Sequence, residues 1–246
     1  MLYICIPSRN EASTIGLVLW KIRQVFTSAP REYQLLVGDD ASTDATSEVL
    51  APYAKVLPLT VLRQDRHQGY ARTVENLLRH AVSLSDRPRR DAVLVLHADF
   101  LHDPASIPDL LKKFDSGADL VVAESQGEGA PTRGHRWLRR YAPLLLRRKV
   151  RVRGVRDTAS GFMAMRLSVA KDALSGTSPV LTAEGWAANA ELIARAAAVS
   201  RRVEGVPTVE RYDLLQRPIE TDPWEAAKAL WRNAGALRIP AGAVGQ

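Results

Sequence analysis

The feature that most constrains this chain is a repeated alternation of short apolar runs with longer amphipathic segments. The apolar runs lack the polar alternation of half-exposed strands, so they are typical of strands covered on both faces. They lie at residues 2–7, 34–38, 58–63, 92–97 and 119–123. The segments between them predict helices near residues 12–27, 44–55, 70–84 and 104–115. Strands that alternate with helices of this length indicate an α/β fold with a mostly parallel central sheet flanked by helices.

Beyond residue 124 the alternation is less regular. The elements expected there are a loop, a basic helix, a strand, a helix, a second strand and a last amphipathic helix, at residues 125–134, 135–149, 160–165, 184–199, 202–206 and 222–236. A chain of 246 residues is long for one domain and short for two. We therefore expect one domain over residues 1–220, followed by a C-terminal amphipathic helix and tail over residues 221–246.

The positive charge of the chain is concentrated in one segment. The net charge is +7, and residues 133–156 contain nine arginines and one lysine but no acidic residue. Such a segment attracts phosphate groups. We favour an interfacial helix whose arginines, including Arg139 and Arg140, face anionic headgroups while Trp137 and Tyr141 enter the membrane boundary. A solvated surface helix is the alternative.

The cysteine content bears on the compartment. Cys5 is the one cysteine of the chain and lies inside the first apolar run. One cysteine forms neither an intrachain disulfide nor a zinc cluster, so we expect a buried thiol in a reducing compartment. Residues 7–11 interrupt the apolar start, no signal-peptide pattern precedes them, and no stretch is long enough to span a bilayer. These observations predict a cytoplasmic protein, with peripheral attachment to an anionic membrane surface as an option.

Polar clusters follow three of the predicted strands. Residues 7–11 (PSRNE) follow the first strand, residues 39–44 (DDASTD) follow the second, and residues 97–99 (HAD) end the fourth. Ligands of open α/β sheets bind at the carboxyl ends of the strands, so we expect the three clusters to meet in one site. Each cluster alone could also be cap chemistry, such as Ser42 or Asp44 before the next helix.

Three functional classes of α/β or basic proteins fit this sequence pattern poorly. A dinucleotide oxidoreductase carries a G-x-G-x-x-G turn after its first strand, and here no glycine occurs between Met1 and Gly16. A nucleotidyltransferase would carry a glycine- and lysine-rich phosphate loop at the same place, and that loop is also absent from the sequence. A nucleic-acid-binding module would explain the arginines but not the acidic strand ends, which repel phosphate unless a metal ion intervenes. We therefore expect no nucleic acid partner.

The order and spacing of the polar clusters carry a family resemblance. The segments that carry it are PSRNE at 7–11, GDDASTDAT at 38–46, QGYARTVENLLRHA at 68–81 and LHADFLHDPASIPDLL at 96–111. Over roughly residues 2–217 the chain resembles the family 2 glycosyltransferases. Within them it is most similar to the dolichyl- and polyprenyl-phosphate mannose or glucose synthases. The resemblance implies the GT-A nucleotide-sugar fold for residues 1–220.

The resemblance also implies roles on the donor side. The nucleotide-binding residues that it implies are Pro7, Arg9, Glu11, Asp39, Asp40, Gln68 and Gly69. His97 and Asp99 stand where the family has Asp-X-Asp, the motif that binds Mg²⁺ or Mn²⁺ on the diphosphate. A carboxylate with an imidazole suits Mn²⁺ better than Mg²⁺. Direct contact of His97 with a phosphate is the equal alternative, and Leu101, at a position usually filled by glutamine, cannot ligate a metal.

Further roles are implied for the leaving group and the acceptor. Asp157, Arg211 and Arg217 join Asp99 as predicted catalytic residues, since arginines near the diphosphate would stabilise its charge as it leaves. The predicted acceptor-binding residues are Arg139, Arg140, Ser160 and Glu191. An arginine usual after the fifth strand is replaced by Gln126, which is a departure from the lipid-phosphate subgroup.

The implied reaction is an inverting displacement at the anomeric carbon of a nucleoside-diphosphate sugar. A phosphate monoester acceptor is already ionised and needs no general base, whereas a hydroxyl acceptor needs a carboxylate such as Asp157 or Glu184. The resemblance thus predicts a glycosyltransferase whose acceptor is of the polyprenyl phosphate class. A soluble enzyme with a small-molecule acceptor and an inactive nucleotide-binding homologue are the alternatives.

Overall fold

A seven-stranded sheet forms the centre of the protein. The computed structural model describes residues 1–125, 134, 136–137, 141, 150 and 152–214. The strands are β1 (Leu2–Ser8), β2 (Tyr33–Asp39), β3 (Leu59–Arg63), β4 (Ala92–Val95), β5 (Leu120–Glu124), β6 (Met163–Arg166) and β7 (Val203–Pro207). The α-helices within the described residues are α1 (Ile15–Ser28), α2 (Thr46–Ala54), α3 (Tyr70–Leu84), α4 (Ile107–Asp115), α5 (Leu167–Ala173) and α6 (Trp186–Ala198). Short 3₁₀ turns cover Pro104–Ser106 and Tyr212–Leu214.

The sheet has the strand order β3-β2-β1-β4-β6-β5-β7. β1 pairs in parallel with β2 and β4, β2 with β3, and β5 with β7, whereas β6 runs antiparallel to β4 and β5. The prediction of a mostly parallel α/β sheet is therefore confirmed. The chain passes from one side of β1 to the other between β3 and β4. This switch point brings the carboxyl ends of β1, β2 and β4 to one edge.

Side chains of β1 alternate between two layers of the core. Leu2, Ile4 and Ile6 pack in an apolar cluster with α1, and Tyr3 and Cys5 pack in a second cluster with α3. A strand that is covered on both faces buries every side chain, which explains the uninterrupted apolar run in the sequence. Burial also raises the pKa of the Cys5 thiol, as expected for a structural cysteine.

Some boundaries differ from the predicted ones. β4 ends at Val95, so His97 and Asp99 lie in the loop beyond the strand. The predicted helix at 104–115 begins as a 3₁₀ turn and becomes α-helical only at Ile107. The sequence pattern did not predict α5, because its seven residues are too few for a clear helical period.

Buried hydrogen bonds hold the loop between α5 and α6. The carboxylate of Glu75, on α3, is fully buried and accepts hydrogen bonds from the backbone N–H groups of Val180 at 2.8 Å and Leu181 at 3.1 Å. The Ser178 hydroxyl donates to the same carboxylate at 2.6 Å. Because both carboxylate oxygens face donors, the ionised form of Glu75 fixes this loop against α3.

Several predicted features lie outside the described residues. They include the helix at 222–236, the proposed boundary after residue 220, and most of the basic segment 133–156. Of that segment, Trp137 and Tyr141 are both exposed, and their ring centroids lie 4.9 Å apart. In the part of the chain that the structure describes, no helix is both long and apolar enough to cross a membrane.

Candidate functional site

A cleft opens where β1 and β4 end and α3 begins. Its walls come from the loops after β1, β2 and β4, from the segment before α3, and from the first turn of α3. The lining residues are Pro7, Ser8, Arg9, Glu11, Asp40, His67, Tyr70, Thr73, His97, Ala98 and Asp99. The three polar clusters therefore meet at one edge of the sheet, as the parallel topology requires.

Hydrogen bonds join the loop after β1 to the loop after β2. Asn10 has a left-handed backbone with φ 53°, donates its N–H to Ser42 Oγ at 2.9 Å and accepts from the Thr43 N–H at 2.8 Å. The Glu11 N–H donates to Thr46 Oγ1 at 2.8 Å. Short polar side chains are suited to such loop contacts because they bond readily to nearby backbone groups. These contacts fix the backbone of one cleft wall.

The two acidic residues at the end of β2 have different surroundings. Asp39 is fully buried, and its carboxylate accepts from the Ser42 N–H at 3.0 Å and from the Ser47 hydroxyl at 2.9 Å. Asp39 therefore fixes the turn that leads into α2. Of the predicted pair, Asp40 alone lines the cleft.

Asp40 binds the segment that precedes α3. Its carboxylate accepts from the backbone N–H groups of Gln68 at 2.7 Å and Gly69 at 3.0 Å, and it lies 2.7 Å from His67 Nδ1. The predicted residues Gln68 and Gly69 thus reach Asp40 through their backbone, and the Gln68 side chain is exposed. Gly69 has φ 98°, a conformation that favours glycine.

His97 and Asp99 lie side by side in the loop after β4. His97 Nδ1 is 3.8 Å from Asp99 Oδ2, and Asp99 Oδ1 accepts from the Leu101 N–H at 2.9 Å. An imidazole nitrogen and a carboxylate oxygen suit a cation such as Mn²⁺. Among the described residues, no group of three His, Cys, Asp or Glu is arranged to hold a metal. A divalent cation held by this pair would therefore need further ligands beyond these two side chains.

Tyr70 connects His97 to α6. The Tyr70 hydroxyl lies 2.9 Å from His97 Nε2 and donates to Asn189 Oδ1 at 2.7 Å. Asn189 Nδ2 donates in turn to the carbonyl of Ala159 at 3.0 Å. Burial, together with the nearby Asp99 carboxylate, raises the pKa of Tyr70, so its phenol stays protonated.

Two predicted residues lie in the buried turn before β6. Asp157 accepts from the N–H groups of Ser125 at 3.3 Å and Ala159 at 3.0 Å. Ser160 is fully buried, and its hydroxyl bonds to the backbone of Phe162. Neither Asp157 nor Ser160 is among the cleft-lining residues.

Glu191, predicted to bind the acceptor, is a fully buried residue of α6. Its carboxylate accepts from the backbone N–H groups of Thr182 at 2.8 Å and Ala183 at 3.2 Å, and it forms an ion pair with Arg195 at 3.1 Å. These contacts stabilise the loop before α6.

Glu184, a candidate base for a hydroxyl acceptor, lies beside the first turn of α3. It accepts from the Ala71 N–H at 3.2 Å, and a Cβ added to Gly69 would lie 2.6 Å from its Oε1. Its position at the N-terminal end of α3 matches the favourable electrostatics of a carboxylate there.

Arg211 lies next to the loop that carries Asp99. Its backbone N–H donates to the Leu101 carbonyl at 2.7 Å, and its guanidinium pairs with Asp213 at 2.9 Å and with Asp103 at 3.5 Å. The other predicted residues of the leaving-group and acceptor side, Arg139, Arg140 and Arg217, lie outside the described residues, as does Gln126, the departure from the family pattern.

Five residues that line the cleft were not among the predicted site residues: Ser8, His67, Tyr70, Thr73 and Ala98. Tyr70 directly follows the recognised Gln68-Gly69 pair and Thr73 lies one helical turn further, so the helical period was the available signal. Ser8 Oγ is buried and, within the described residues, has no hydrogen-bond partner. A buried hydroxyl in this condition at a cleft is available to a bound ligand.

The chain matches a protein-family model over most of its length. The model of the family described as "Glycosyl transferase family 2" matches residues 3–174. A dolichol-phosphate mannosyltransferase of Pyrococcus furiosus is 24% identical over an alignment of 171 residues that covers 68% of this chain and 46% of that protein. An uncharacterized protein of Methanocaldococcus jannaschii is 28% identical over an alignment of 176 residues that covers 68% of this chain and 72% of that protein. The chain thus spans less than half the length of the Pyrococcus relative.

Solved structures share the fold. The glucosyl-3-phosphoglycerate synthase of Mycobacterium tuberculosis, in complex with Mn²⁺, UDP and glucosyl-3-phosphoglycerate, aligns with a TM-score of 0.64 and 18% identity over 98% of this chain and 81% of that one. A fragment of TarS from S. aureus, in complex with UDP, aligns with a TM-score of 0.55 and 16% identity over 83% of this chain and 57% of that one. At 16–18% identity, these similarities show a shared fold.

Proposed function

The chain belongs to glycosyl transferase family 2 and has its GT-A fold, and on this premise we propose that it transfers a sugar from a nucleoside-diphosphate sugar to a phosphate-bearing acceptor. The observation that carries the proposal is the meeting of the loops after β1, β2 and β4 in one cleft. This edge of the sheet is where α/β proteins bind nucleotides. The M. tuberculosis and S. aureus neighbours were both solved with UDP, which supports a nucleotide ligand here.

The nucleotide part of the donor would occupy the walls formed by the β1 and β2 loops. Arg9 is exposed at the cleft and offers a guanidinium to phosphate oxygens. Asp40, whose carboxylate oxygens accept from the Gln68 and Gly69 N–H groups, offers its remaining acceptor sites to a base N–H or a ribose hydroxyl. The Ser8 hydroxyl, buried at the same wall, offers a further hydrogen bond.

His97 and Asp99 are the residues that would hold a divalent cation. Such a cation, when bound, neutralises charge on the diphosphate as the nucleotide leaves. The chain itself fixes the two side chains: the Leu101 N–H holds Asp99, and Tyr70 contacts the other side of the His97 ring. The Mn²⁺ in the M. tuberculosis neighbour supports the use of a divalent ion in this architecture.

The acceptor is proposed to carry a phosphate monoester, with a polyprenyl phosphate as the preferred class. The name of the Pyrococcus relative supports a lipid phosphate. The exposed pair Trp137 and Tyr141 in the basic segment 133–156 suits a membrane interface. An ionised phosphate attacks without a general base, which agrees with Asp157 and Glu184 being engaged by backbone N–H groups. A soluble phosphate-bearing acceptor, as in the M. tuberculosis neighbour, is the second candidate, and a hydroxyl nucleophile on it would need Asp157 or Glu184 as the base.

Calorimetry tests the donor site, and transfer assays test the acceptor. GDP, UDP and dTDP are titrated into the protein with and without Mn²⁺, and the matching sugar nucleotide is then supplied with a polyprenyl phosphate or with 3-phosphoglycerate. Saturable binding of one nucleotide, and transfer to one phosphate acceptor, are expected. Absence of binding by all three nucleotides would overturn the proposal. Transfer to the soluble acceptor alone would replace the lipid acceptor by the second candidate.

A further inference from the structure

We propose that Tyr70 and Asn189 are positioning residues that hold the His97 imidazole as its Nε2–H tautomer. The Nδ1 lone pair then stands beside Asp99 and is available to a divalent cation. The cation part of this inference rests on the proposed function, because the diphosphate of a bound nucleoside diphosphate would also ligate the ion. The tautomer part depends only on contacts within this chain.

The direction of the hydrogen bonds follows from the Ala159 carbonyl, which can only accept. Asn189 is 1% exposed, and one end of its amide lies 3.0 Å from that oxygen. Because the carbonyl can only accept, this end must be the Nδ2 group, which donates the hydrogen bond. Its Oδ1 must then face the other way, where the Tyr70 hydroxyl lies at 2.7 Å. Because an amide oxygen cannot donate, the phenol proton is committed to Asn189.

The same reasoning decides the contact between Tyr70 and His97. With its one proton committed, the Tyr70 oxygen can only accept at its second contact, 2.9 Å from His97 Nε2. The hydrogen in this contact must therefore be carried by Nε2. In a neutral imidazole one nitrogen carries hydrogen and the other carries a lone pair, so Nδ1 is the nitrogen with the lone pair.

The surroundings of the ring leave His97 little freedom to turn. The Tyr70 ring packs against it with centroids 5.0 Å apart. A Cβ added to Gly161 would lie 1.9 Å from Nε2, so the ring edge rests directly on the Gly161 backbone. Nδ1 is held at 3.8 Å from Asp99 Oδ2, in the cleft wall.

This arrangement distinguishes the two roles that the sequence leaves open for His97. A neutral imidazole with a lone pair at Nδ1 cannot donate a hydrogen bond to a phosphate oxygen from that atom. It can, however, ligate a cation there, as metal-binding histidines commonly do when their second nitrogen is fixed by a hydrogen bond. The network of Tyr70 and Asn189 supplies that second interaction.

Nitrogen NMR of the metal-free protein tests the tautomer directly. Long-range ¹H–¹⁵N spectra of ¹⁵N-histidine-labelled protein are recorded at a pH where the imidazoles are neutral, and the His97 signals are assigned by their absence in His97→Asn. We expect a hydrogen-bearing Nε2 and an unprotonated Nδ1. The reverse assignment in the wild-type protein would overturn the proposal without any variant.

Tyr70→Phe removes the hydroxyl and keeps the ring. We expect His97 to lose its single tautomer, and Mn²⁺ affinity in the presence of UDP, read from the free Mn²⁺ signal in electron paramagnetic resonance, to fall on the order of tenfold or more. Tyr33→Phe is the matched control, since it makes the same change at a tyrosine whose ring stacks on Phe26. It should change neither the His97 tautomer nor the Mn²⁺ affinity.

The possible outcomes separate this inference from the proposed function. Unchanged His97 signals and unchanged Mn²⁺ affinity in a folded Tyr70→Phe protein would overturn the positioning role. A wild-type protein that has the expected tautomer but binds no Mn²⁺ with UDP would uphold the tautomer part and overturn the cation part.

Discussion

The Asp40 carboxylate accepts a hydrogen bond from the backbone N–H of Gly69 at 3.0 Å, and this contact joins the end of β2 to the start of α3. Asp40 therefore has two roles in the proposed donor site. It lines the cleft, and it holds the segment that closes one side of the cleft. The consequences of removing it should be visible in both binding and stability.

Asp40→Ala should abolish nucleoside-diphosphate binding and also destabilise the protein by about 1–3 kcal/mol, because two backbone N–H groups lose their acceptor. Calorimetry measures the first effect and denaturant unfolding the second. Asp172→Ala removes an exposed carboxylate on α5 and is the control, expected to change neither. Normal nucleotide binding by Asp40→Ala would contradict the location of the donor site.

Gly69→Ala should destabilise the protein by roughly 1–3 kcal/mol through two separable effects. Gly69 has φ 98°, and its added Cβ would lie 2.6 Å from Glu184 Oε1. Combining it with Glu184→Ala relieves the steric contact but not the backbone strain. The double variant should therefore recover part of the loss, as measured by a double-mutant cycle of unfolding free energies. Strict additivity of the two changes would show that the contact with Glu184 does not matter.

The loop between α5 and α6 should respond to pH through Glu75. Burial disfavours its charge, but hydrogen bonds from Ser178, Leu181, Val180 and Arg79 outweigh burial and hold the pKa below the ordinary value of 4.5. A lowered folded-state pKa stabilises the protein above the unfolded-state pKa, and this stability is lost as the pH falls through the folded-state value.

Glu75→Gln should consequently destabilise the protein at neutral pH and flatten the loss of stability below about pH 4.5. Chemical unfolding at a series of pH values measures both effects. Asp109→Asn, at an exposed position of α4, is the control and should leave the loss of stability at acid pH unchanged. If Glu75→Gln lost stability as steeply as the wild-type protein on acidification, Glu75 would be excluded as the source of that loss.

Replacement of a carboxylate by His97 should make Mn²⁺ a better activator than Mg²⁺, because imidazole is a poorer ligand for the harder ion. His97→Asp should reduce the difference between the two metals. Initial rates of transfer, or of donor hydrolysis, over a range of each metal measure the preference. Full activity in excess chelator would remove the metal from the mechanism and contradict the role of His97 as a metal ligand.

The basic segment should bind anionic liposomes at low salt and release them at high salt, because each basic residue near the surface contributes on the order of 1 kcal/mol and salt screens it. Replacing Arg139, Arg140, Arg147 and Arg148 by Glu should abolish co-sedimentation and impair lipid-acceptor turnover more than donor binding. The control reverses an equal number of exposed basic residues elsewhere, Arg23, Lys55, Arg90 and Lys171. Wild-type protein that ignores such liposomes yet glycosylates a soluble acceptor would refute the polyprenyl phosphate assignment.

The sequence alone determined the architecture because the relevant signals are local. The β1 strand is apolar at successive positions since both of its faces are covered, and α3 shows its amphipathic period over the whole of Tyr70–Leu84. The carboxyl ends of parallel strands lie at the same edge of a sheet. The predicted strands were therefore enough to place Asp40 and Asp99 at one edge of the sheet. The short helix α5 could not, because seven residues contain too little period.

Tertiary structure decided what each side chain does at that edge. Asp39 and Asp40 are adjacent and chemically identical, yet Asp39 is enclosed by the turn into α2 and Asp40 faces the cleft. Tyr70 and Asn189, which are 119 residues apart, contact each other only because α3 and α6 pack on the same face of the sheet. Hydrogen-bond direction depends on atoms brought together by folding, and no spacing within a linear sequence encodes it.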